Sequence, residues 1–196
     1  MPGNSFEGGI PVVKVKNIYD GVVHTDELLL TDPAIDAKYE RSRLNADDIL
    51  LTIRGTTGRT AQVPPELHGA NITQDTARIS IDTTFAHPKL VQFILQSRFM
   101  QEQINLMTIG QAVKGINIKA VRNLEFGLPP LHEQDELLNK LEAIDAFLNI
   151  ELSRINTLEI TKNGLLQDLL TGKVRVNTLD LPALLNAEAP AEAQAE

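Results

Sequence analysis

The chain has 196 residues, of which 42% are hydrophobic, and its formal net charge is -8. This length suits one globular domain with an appendage, and the absence of cysteine excludes disulfides and thiolate metal sites. The sequence lacks the roughly 18 consecutive apolar residues of a transmembrane helix and the charged and apolar segments of a signal peptide, so we expect a cytoplasmic protein.

The acidic charge is concentrated in the C-terminal third. Residues 1–130 contain 13 Lys and Arg and 14 Asp and Glu, whereas residues 131–196 contain 5 and 12. Within the first segment, residues 54–62 and 109–122 carry basic side chains and no acidic ones. These two stretches predict a modest attraction for the phosphates of nucleic acid.

The first forty residues predict short strands and one helix. In residues 8–18, apolar side chains alternate with Lys14 and Lys16, which predicts a strand with both lysines on one face, from which they can approach DNA. Thr31 followed by Pro33 predicts a helix start with Thr31 as the N-cap.

A hairpin is predicted next. Residues 49–53 and 60–63 are β-rich runs on either side of the glycine-flanked loop 55–58, and residues 76–82 alternate as a further strand. Residues 87–107 predict one helix of about five turns with proline in its first turn. A loop containing two glycines follows, and residues 124–130 predict a strand that stops at a double proline.

Residues 131–170 predict a long coiled-coil helix. Eight of its ten heptad a and d positions are apolar. These positions, which we expect to contact a partner helix, are Leu137, Leu141, Ile144, Leu148, Ile155, Leu158, Leu165 and Leu169. Glu151 and Lys162 interrupt the seam, either as polar residues that set the register of an antiparallel pair or as side chains that face solvent at a kink. The seam is about 48 Å long, more than the diameter of a small domain, so a second helix is needed to bury it.

We therefore predict an α/β fold of the α+β type, with a globular domain of short strands and helices followed by one long coiled-coil helix. The expected boundaries are 1–129 for the globular domain, 130–172 for the helix and 173–196 for a short end segment and an acidic tail. Gly172 is the expected C-cap, a short β-like run is expected after it, and at least the last ten residues are expected to be disordered.

Four segments of the chain resemble the specificity subunit of type I restriction–modification enzymes. They are GGIPVVKVKNI, LNADDILLTIRGTTGRTAQVP, the stretch that ends in PPLHEQ, and LQDLLTGKVRV, and together they cover about residues 8–176. The PPLHEQ and LLTGK elements are the most specific. The second segment departs from the family pattern, because Asp47 stands where glycine is usual. The family's subunit has two recognition domains and two conserved helices, whereas this chain resembles half of it.

The resemblance implies a sequence-specific, non-catalytic subunit that binds double-stranded DNA and holds no cofactor. Its partners would be a modification subunit, which carries the methyltransferase and S-adenosylmethionine, and through it a restriction subunit. Two copies would form a homodimer through antiparallel helices and read a bipartite site, with no membrane involved. The two half-sites would lie up to about 14 base pairs apart, the length of the helical seam.

The residues themselves offer little support for catalysis. The double prolines at 64–65 and 129–130 do not form the Asn/Asp-Pro-Pro-aromatic motif of an adenine methyltransferase. GTTGRT has too few residues between its glycines for a phosphate-binding Walker A loop and no lysine after the second glycine. The four histidines are scattered and lack metal-ligand spacing.

Two loops are candidates for DNA contact. In the first, glycines let the backbone approach phosphates, and arginine and threonine side chains bind phosphates or base edges. Its candidate residues are Arg54, Thr56, Thr57, Arg59 and Thr60. The second contains residue types that read adenine or bind phosphate, together with Gly115 and Arg122. Its candidates are Gln111, Lys114, Asn117 and Lys119.

Plainer interpretations of both loops remain open. The first is equally typical of an ordinary hairpin with solvated arginines. In the second, Asn117 can cap a short helical turn with Lys119 on its solvated face. For the chain as a whole, the rival hypothesis is a non-catalytic coiled-coil adaptor that binds only proteins, which the net acidity favours slightly.

Overall fold

The computed structural model describes residues 6–110 and 115–175. The chain divides into two compact units, Met1–Lys140 and Leu141–Glu196. One long helix begins in the first unit and provides most of the described part of the second. No helix in the described part of the chain has the length and apolar character needed to cross a membrane.

Short strands and helices alternate in the first unit. The strands are β1 (Ile10–Val13), β2 (Ile18–Tyr19), β3 (Val22–Val23), β4 (Leu29–Thr31), β5 (Ile49–Thr52), β6 (Thr60–Gln62), β7 (Asn71–Ile72) and β8 (Thr76–Ile79). The helices are α1 (Pro33–Asp36), α2 (Pro88–Gln96), α3 (Arg98–Leu106), α4 (Ile118–Val121) and α5 (Leu131–Leu170). 3-10 segments occupy Val15–Asn17, Ala37–Ser42, which is kinked at Tyr39, and Pro65–Leu67. The predicted α+β class with a long C-terminal helix is confirmed.

The strands form two small sheets and a hairpin. In the first sheet, β1 lies between β4, to which it is antiparallel, and β7, to which it is parallel. In the second, β5 lies between β6 and β8 and is antiparallel to both. β2 and β3 pair with each other. The predicted hairpin of β5 and β6 is confirmed, with Leu51 opposite Thr60.

β5 is the centre of the core. All four of its residues are buried, and neighbouring side chains point to opposite faces of the strand. Leu50 packs into a cluster with residues of β1, β2 and β6. Ile49 packs into a second cluster with α2 and the start of α3, and Leu51 into a third with Ile104. The loop that follows β5 therefore leaves a strand that is held from both sides.

The first strand ends earlier than its alternation predicts. The backbone N–H of Lys14 donates to the Asn17 side chain at 3.1 Å, and the chain turns into a 3-10 segment over Val15–Asn17. Because an i to i+3 turn replaces the extended backbone, Lys14 and Lys16 do not share a strand face. The prediction of one strand over 8–18 was wrong.

The cap of α1 is Asp32 and not Thr31. The Asp32 carboxylate accepts a hydrogen bond from the backbone N–H of Ala34 at 2.7 Å, as an N-cap does. Thr31 is the last residue of β4, pairs with Ile10 and is buried. The predicted position of Pro33 in the first turn is confirmed.

Residues 87–107 form two helices where one was predicted. Ser97 adopts an extended backbone conformation, with ψ of 149°, and ends α2. Its hydroxyl then accepts a hydrogen bond from the N–H of Met100 at 3.3 Å and caps α3. A serine that caps the next helix offers its backbone an alternative to the helical conformation, and apolar periodicity does not reveal this.

Residues 124–130 form no strand, contrary to the prediction. This segment has no ladder partner within the described chain. Leu124 and Phe126 instead pack as partly buried side chains against the clusters beneath α2 and α3. The same alternation that indicates a strand also arises in an extended segment whose side chains lie along a core.

The end of α5 is close to its predicted position. Gly172 has a φ of 71°, and its N–H donates to the carbonyl of Leu169 at 3.2 Å. The N–H of Val174 donates to the carbonyl of Asp168 at 3.2 Å. The left-handed glycine cap is confirmed. Residues 173–175 form no strand, and the predicted disordered end lies outside the described residues.

Candidate functional site

The base of loop 53–59 is closed by Thr52. Its backbone N–H donates to the carbonyl of Arg59 at 2.9 Å, and its carbonyl accepts from the N–H of Gly58 at 2.9 Å. The Thr52 hydroxyl accepts from the N–H of Arg59 at 2.9 Å. Three hydrogen bonds to one buried residue hold the two ends of the loop together.

Gly58 is fixed a second time from α3. The side-chain amide of Gln101 donates to the carbonyls of Gly58 at 3.0 Å and Leu95 at 2.7 Å. Gly58 has a φ of 89°, and a Cβ there would lie 2.7 Å from Oε1 of Gln101. The positive φ favours glycine here, and an added Cβ would also displace the end of the Gln101 side chain.

The outer side of the loop borders an open groove of about 680 Å³. We call it the arginine groove, and its lining residues are Val15, Lys16, Arg54, Gly55, Thr56, Arg59 and Asp75. Three basic side chains and one acidic side chain therefore face the same space. Asp75 also holds the loop, because its carbonyl accepts from the N–H groups of Ile53 at 2.8 Å and Arg54 at 3.2 Å.

The basic side chains of the groove differ in how far they are already engaged in hydrogen bonds or ion pairs. Arg54 is exposed, and its guanidinium has no hydrogen bond or ion pair to any of the described residues. Arg59 uses one donor, Nη1, on the carbonyl of Ile18 at 3.2 Å. Lys16 pairs with Glu27 at 3.3 Å, and both side chains are largely exposed, so that pair holds the lysine weakly. Arg54 is the basic group with the most donors free for a ligand.

The three candidate threonines lie in different environments. Thr56 is exposed and lines the arginine groove, and Thr57 is half-buried. Thr60 lies in β6 and is only 3% exposed. A buried hydroxyl cannot reach a phosphate or a base edge, so the predicted contact of Thr60 with DNA is withdrawn.

The second candidate loop meets the first through Gly115. Gly115 forms an antiparallel bridge with Arg54 and another with Ile109. The N–H of Ile116 donates to the carbonyl of Ile53 at 2.8 Å. A Cβ on Gly115 would approach that same carbonyl to 3.3 Å, so the absence of a side chain lets the two loops lie this close. Two segments separated by some sixty residues in sequence thus share one surface.

Only some of the candidate residues of the second loop lie in the described part of the chain. Asn117 caps α4, and its side-chain oxygen accepts from the N–H of Lys119 at 2.9 Å. The plainer interpretation of Asn117 is therefore correct for that oxygen. Lys119 and Arg122 are exposed. Gln111 and Lys114 lie outside the described residues.

Sequence reasoning did not identify Asp75 or Gln101. Asp75 precedes β8 in a polar stretch that carries no recognisable motif. Gln101 lies in a helix, where its contacts with Gly58 depend on how α3 packs against the loop. Neither residue has a signal that local spacing reveals.

The part of α5 beyond Lys140 carries a row of uncovered aliphatic side chains. Among the predicted seam positions, Ile144 is 58% exposed, Leu148 51% and Ile155 53%. Leu141, Leu165 and Leu169 are half-buried, and Leu137 and Leu158 are exposed. Aliphatic groups this exposed along one helix are typical of a surface that another chain covers.

Residues 4–160 match the family described as Type I restriction modification DNA specificity domain. The chain belongs to this family. The chain is also similar to curated relatives. It is 31% identical to the type I restriction enzyme EcoBI specificity subunit of Escherichia coli, over 97% of this chain and 39% of that protein. It is 27% identical to the putative type I restriction enzyme MjaX specificity subunit of Methanocaldococcus jannaschii, over 90% and 40%. The chain spans about two fifths of the length of these relatives.

Solved structures share the fold of this specificity domain. The HsdS subunit from Thermoanaerobacter tengcongensis aligns with a TM-score of 0.61 and 22% identity, over 88% of this chain and 45% of that chain. A chain from a structure of a type I restriction–modification system aligns with a TM-score of 0.64 and the same identity and coverage. The long helix and the mixed unit before it are thus features of a known fold.

Proposed function

We propose that the chain is a specificity subunit of a type I restriction–modification system and reads double-stranded DNA through the arginine groove. The observation that carries this proposal is the convergence of the two candidate loops at Gly115. The backbone of Arg54, whose guanidinium has no partner among the described residues, bridges there to a segment with no acidic residue. Membership of the DNA specificity domain family supports it independently.

The groove suits a phosphate or a base edge. A guanidinium offers forked donors that match phosphate oxygens or the O6 and N7 atoms of guanine. The loop base is fixed by Thr52 and Gln101, whereas Arg54, Gly55 and Thr56 project from it. A rigid base with an exposed tip lowers the entropic cost of ordering the contact.

The proposed role is recognition without catalysis. DNA methylation and cleavage would be carried out by a modification subunit and a restriction subunit that assemble with this chain. Residues 1–129 would read the DNA, residues 130–172 would join it to partners, and residues 173–196 would form the end segment. This division of labour is supported by the relatives, which are named as specificity subunits.

We propose that two copies pair through antiparallel α5 helices. The support for this pairing is the aliphatic row, which is exposed along the described helix. A homodimer would bring two recognition units to one duplex and, by its two-fold symmetry, would read a symmetric bipartite site. The distance between half-sites would follow from the length of the helical seam from Leu137 to Leu169, about 48 Å.

A protein-only adaptor is the weaker candidate. It would account for the exposed row on α5, but not for a groove lined by Lys16, Arg54 and Arg59. The net acidity that favours it belongs mainly to residues 131–196, outside the groove.

A salt-titrated duplex-binding assay tests the proposal. The full chain is measured with and without a type I modification subunit, on a set of long random duplexes. We expect affinity to fall steeply with salt, with a slope that reports the phosphates neutralised. An adaptor would show no affinity for duplex in either arrangement, and that result would refute the proposal.

A further inference from the structure

Ile109 is a solvent-exposed aliphatic residue close in the fold to the arginine groove. The residue is 81% exposed. Its N–H donates to the carbonyl of Gly115 at 2.9 Å, and its carbonyl accepts from the N–H of Gly115 at 3.0 Å. Gly115 in turn bridges to Arg54. The backbone of Ile109 is therefore tied, through one glycine, to the strongest candidate contact residue of the groove.

Its exposure is not explained by the core. Ile104 and Ile116, which lie on either side of it in sequence, are buried in the cluster beneath Leu51. Ile109 belongs to none of the buried clusters of the described chain. Isolated exposed aliphatic residues are common, but this one is fixed by two reciprocal backbone hydrogen bonds at the edge of the groove.

The surroundings favour nucleic acid as the group that covers this side chain. In the described residues 115–122, Lys119 and Arg122 are exposed and no residue is acidic. The backbone bridge between Gly115 and Arg54 joins this segment to a residue that lines the arginine groove. An acidic protein partner would also suit the charge, but it would not need an aliphatic group at the same edge as a guanidinium fork.

We propose that Ile109 contacts the C5-methyl group of a thymine in the half-site and so helps to determine the target sequence. The thymine methyl is the apolar group that the major groove presents at base edges, and small apolar side chains recognise it. The neighbouring Arg54 would bind a phosphate or a guanine edge. This inference rests on the proposed function, because it names what one residue reads within the same interface.

The experiment has two stages. First, the full chain with its modification subunit selects duplexes from a randomised pool, which yields a consensus. Second, each thymine of that consensus is replaced singly by deoxyuridine, which removes only the methyl group, and binding is measured for wild type, Ile109→Ser and Val22→Ser. Val22 is an exposed aliphatic residue of β3 that does not line the arginine groove, and it serves as the matched control.

We expect one deoxyuridine substitution to weaken binding of wild type and Val22→Ser about 3- to 10-fold, in line with the loss of one base contact. Ile109→Ser should bind the consensus duplex and that deoxyuridine duplex equally. A consensus in which every deoxyuridine is silent would overturn the inference while leaving the proposed function intact. An Ile109→Ser variant that still discriminates against the deoxyuridine duplex as strongly as wild type would also overturn it. Failure of wild type to select any consensus or to bind duplex would instead overturn the proposed function.

Discussion

Gln134, in the first turn of α5, donates a hydrogen bond from its side-chain amide to the backbone carbonyl of Phe85 at 2.8 Å. The same amide donates to the carbonyl of Pro129 at 2.8 Å, and its oxygen accepts from the N–H of His87 at 3.0 Å. The residue is fully buried. A contact of 2.9 Å between His87 Nε2 and the Asp135 carboxylate lies alongside. The start of α5 is thereby joined to the segment before α2.

Replacing Gln134 with alanine should destabilise the first unit by about 2 to 3 kcal/mol. The substitution leaves two carbonyls and one N–H without their partner in a buried setting, and each unsatisfied group is costly. Urea denaturation measures the change. Gln96→Ala is the matched control, because Gln96 is exposed at the end of α2 and should change stability little. Equal effects of the two substitutions would show that the Gln134 contacts contribute nothing.

Arg54→Ala should weaken duplex binding about 10-fold and reduce the salt slope by about one, because it removes an uncommitted cation from the groove. Arg54→Lys should keep the slope and lose part of the affinity, since an ammonium lacks the fork. Fluorescence anisotropy at several salt concentrations measures both quantities. Arg98→Ala is the control. Arg98 is exposed, pairs with Glu102 and does not line the groove, so its loss should leave binding unchanged.

Gly58→Ala should destabilise the protein by about 2 to 3 kcal/mol, and Gly55→Ala by about 1 kcal/mol. Both glycines have positive φ, so both substitutions carry the conformational cost. At Gly58 the added methyl also meets Gln101, whereas no atom lies within 4 Å of the corresponding position at Gly55. Thermal denaturation of the two variants compares them directly. If Gly55→Ala proved the more damaging, the packing of Gln101 against the loop would be refuted.

Asp47→Gly should stabilise the protein by about 0.5 to 1 kcal/mol. Asp47 has a φ of 68°, a conformation that glycine adopts without steric cost, and the resembled family usually has glycine here. The change gives up only the exposed hydrogen bond from the Gln62 side chain. Asp47→Ala is the comparison, because it loses the same hydrogen bond and keeps the strain. It should be less stable than wild type in chemical denaturation, and a stabilised alanine variant would contradict this account.

Leu148→Glu combined with Ile155→Glu should convert the proposed homodimer into a monomer. Both side chains are about half exposed in the single chain and lie on the predicted seam, where a charge would be buried without a partner. Size-exclusion chromatography with light scattering measures the mass at micromolar concentration. Glu142→Gln, off the seam, is the control and should leave the mass unchanged. A wild-type chain that is already monomeric would rule out pairing through this row.

Much of this fold follows from the local sequence, and the exceptions have identifiable causes. The β5–β6 hairpin is predicted because two apolar runs flank a glycine loop, and α5 because its heptads continue without proline. Ser97 divides a predicted helix by capping the next one, and Asn17 turns the first strand by accepting from Lys14. These two events depend on one side chain each, and average periodicity does not register them.

The candidate site was less accessible to prediction than the fold. The composition of each loop indicates which residues can contact DNA, and the exposure of Arg54 agrees with that. Only tertiary contacts determine that the two loops meet at Gly115, that the Asp75 carbonyl holds the first loop and that Thr60 is buried. Thr60 shows the limit most clearly, since its place one residue after Arg59 puts it inside a sheet.

The division of labour within loop 53–59 bears on how such a protein changes its target over evolutionary time. Thr52 and Gly58 hold the loop closed, whereas Arg54, Gly55 and Thr56 contribute almost nothing to the packed interior. Substitutions of Arg54 and Thr56 therefore carry little penalty in stability and fall directly on the surface proposed to touch DNA, whereas Gly55 is constrained by its positive φ. New target preferences can arise by drift at these few codons while the scaffold beneath them stays the same.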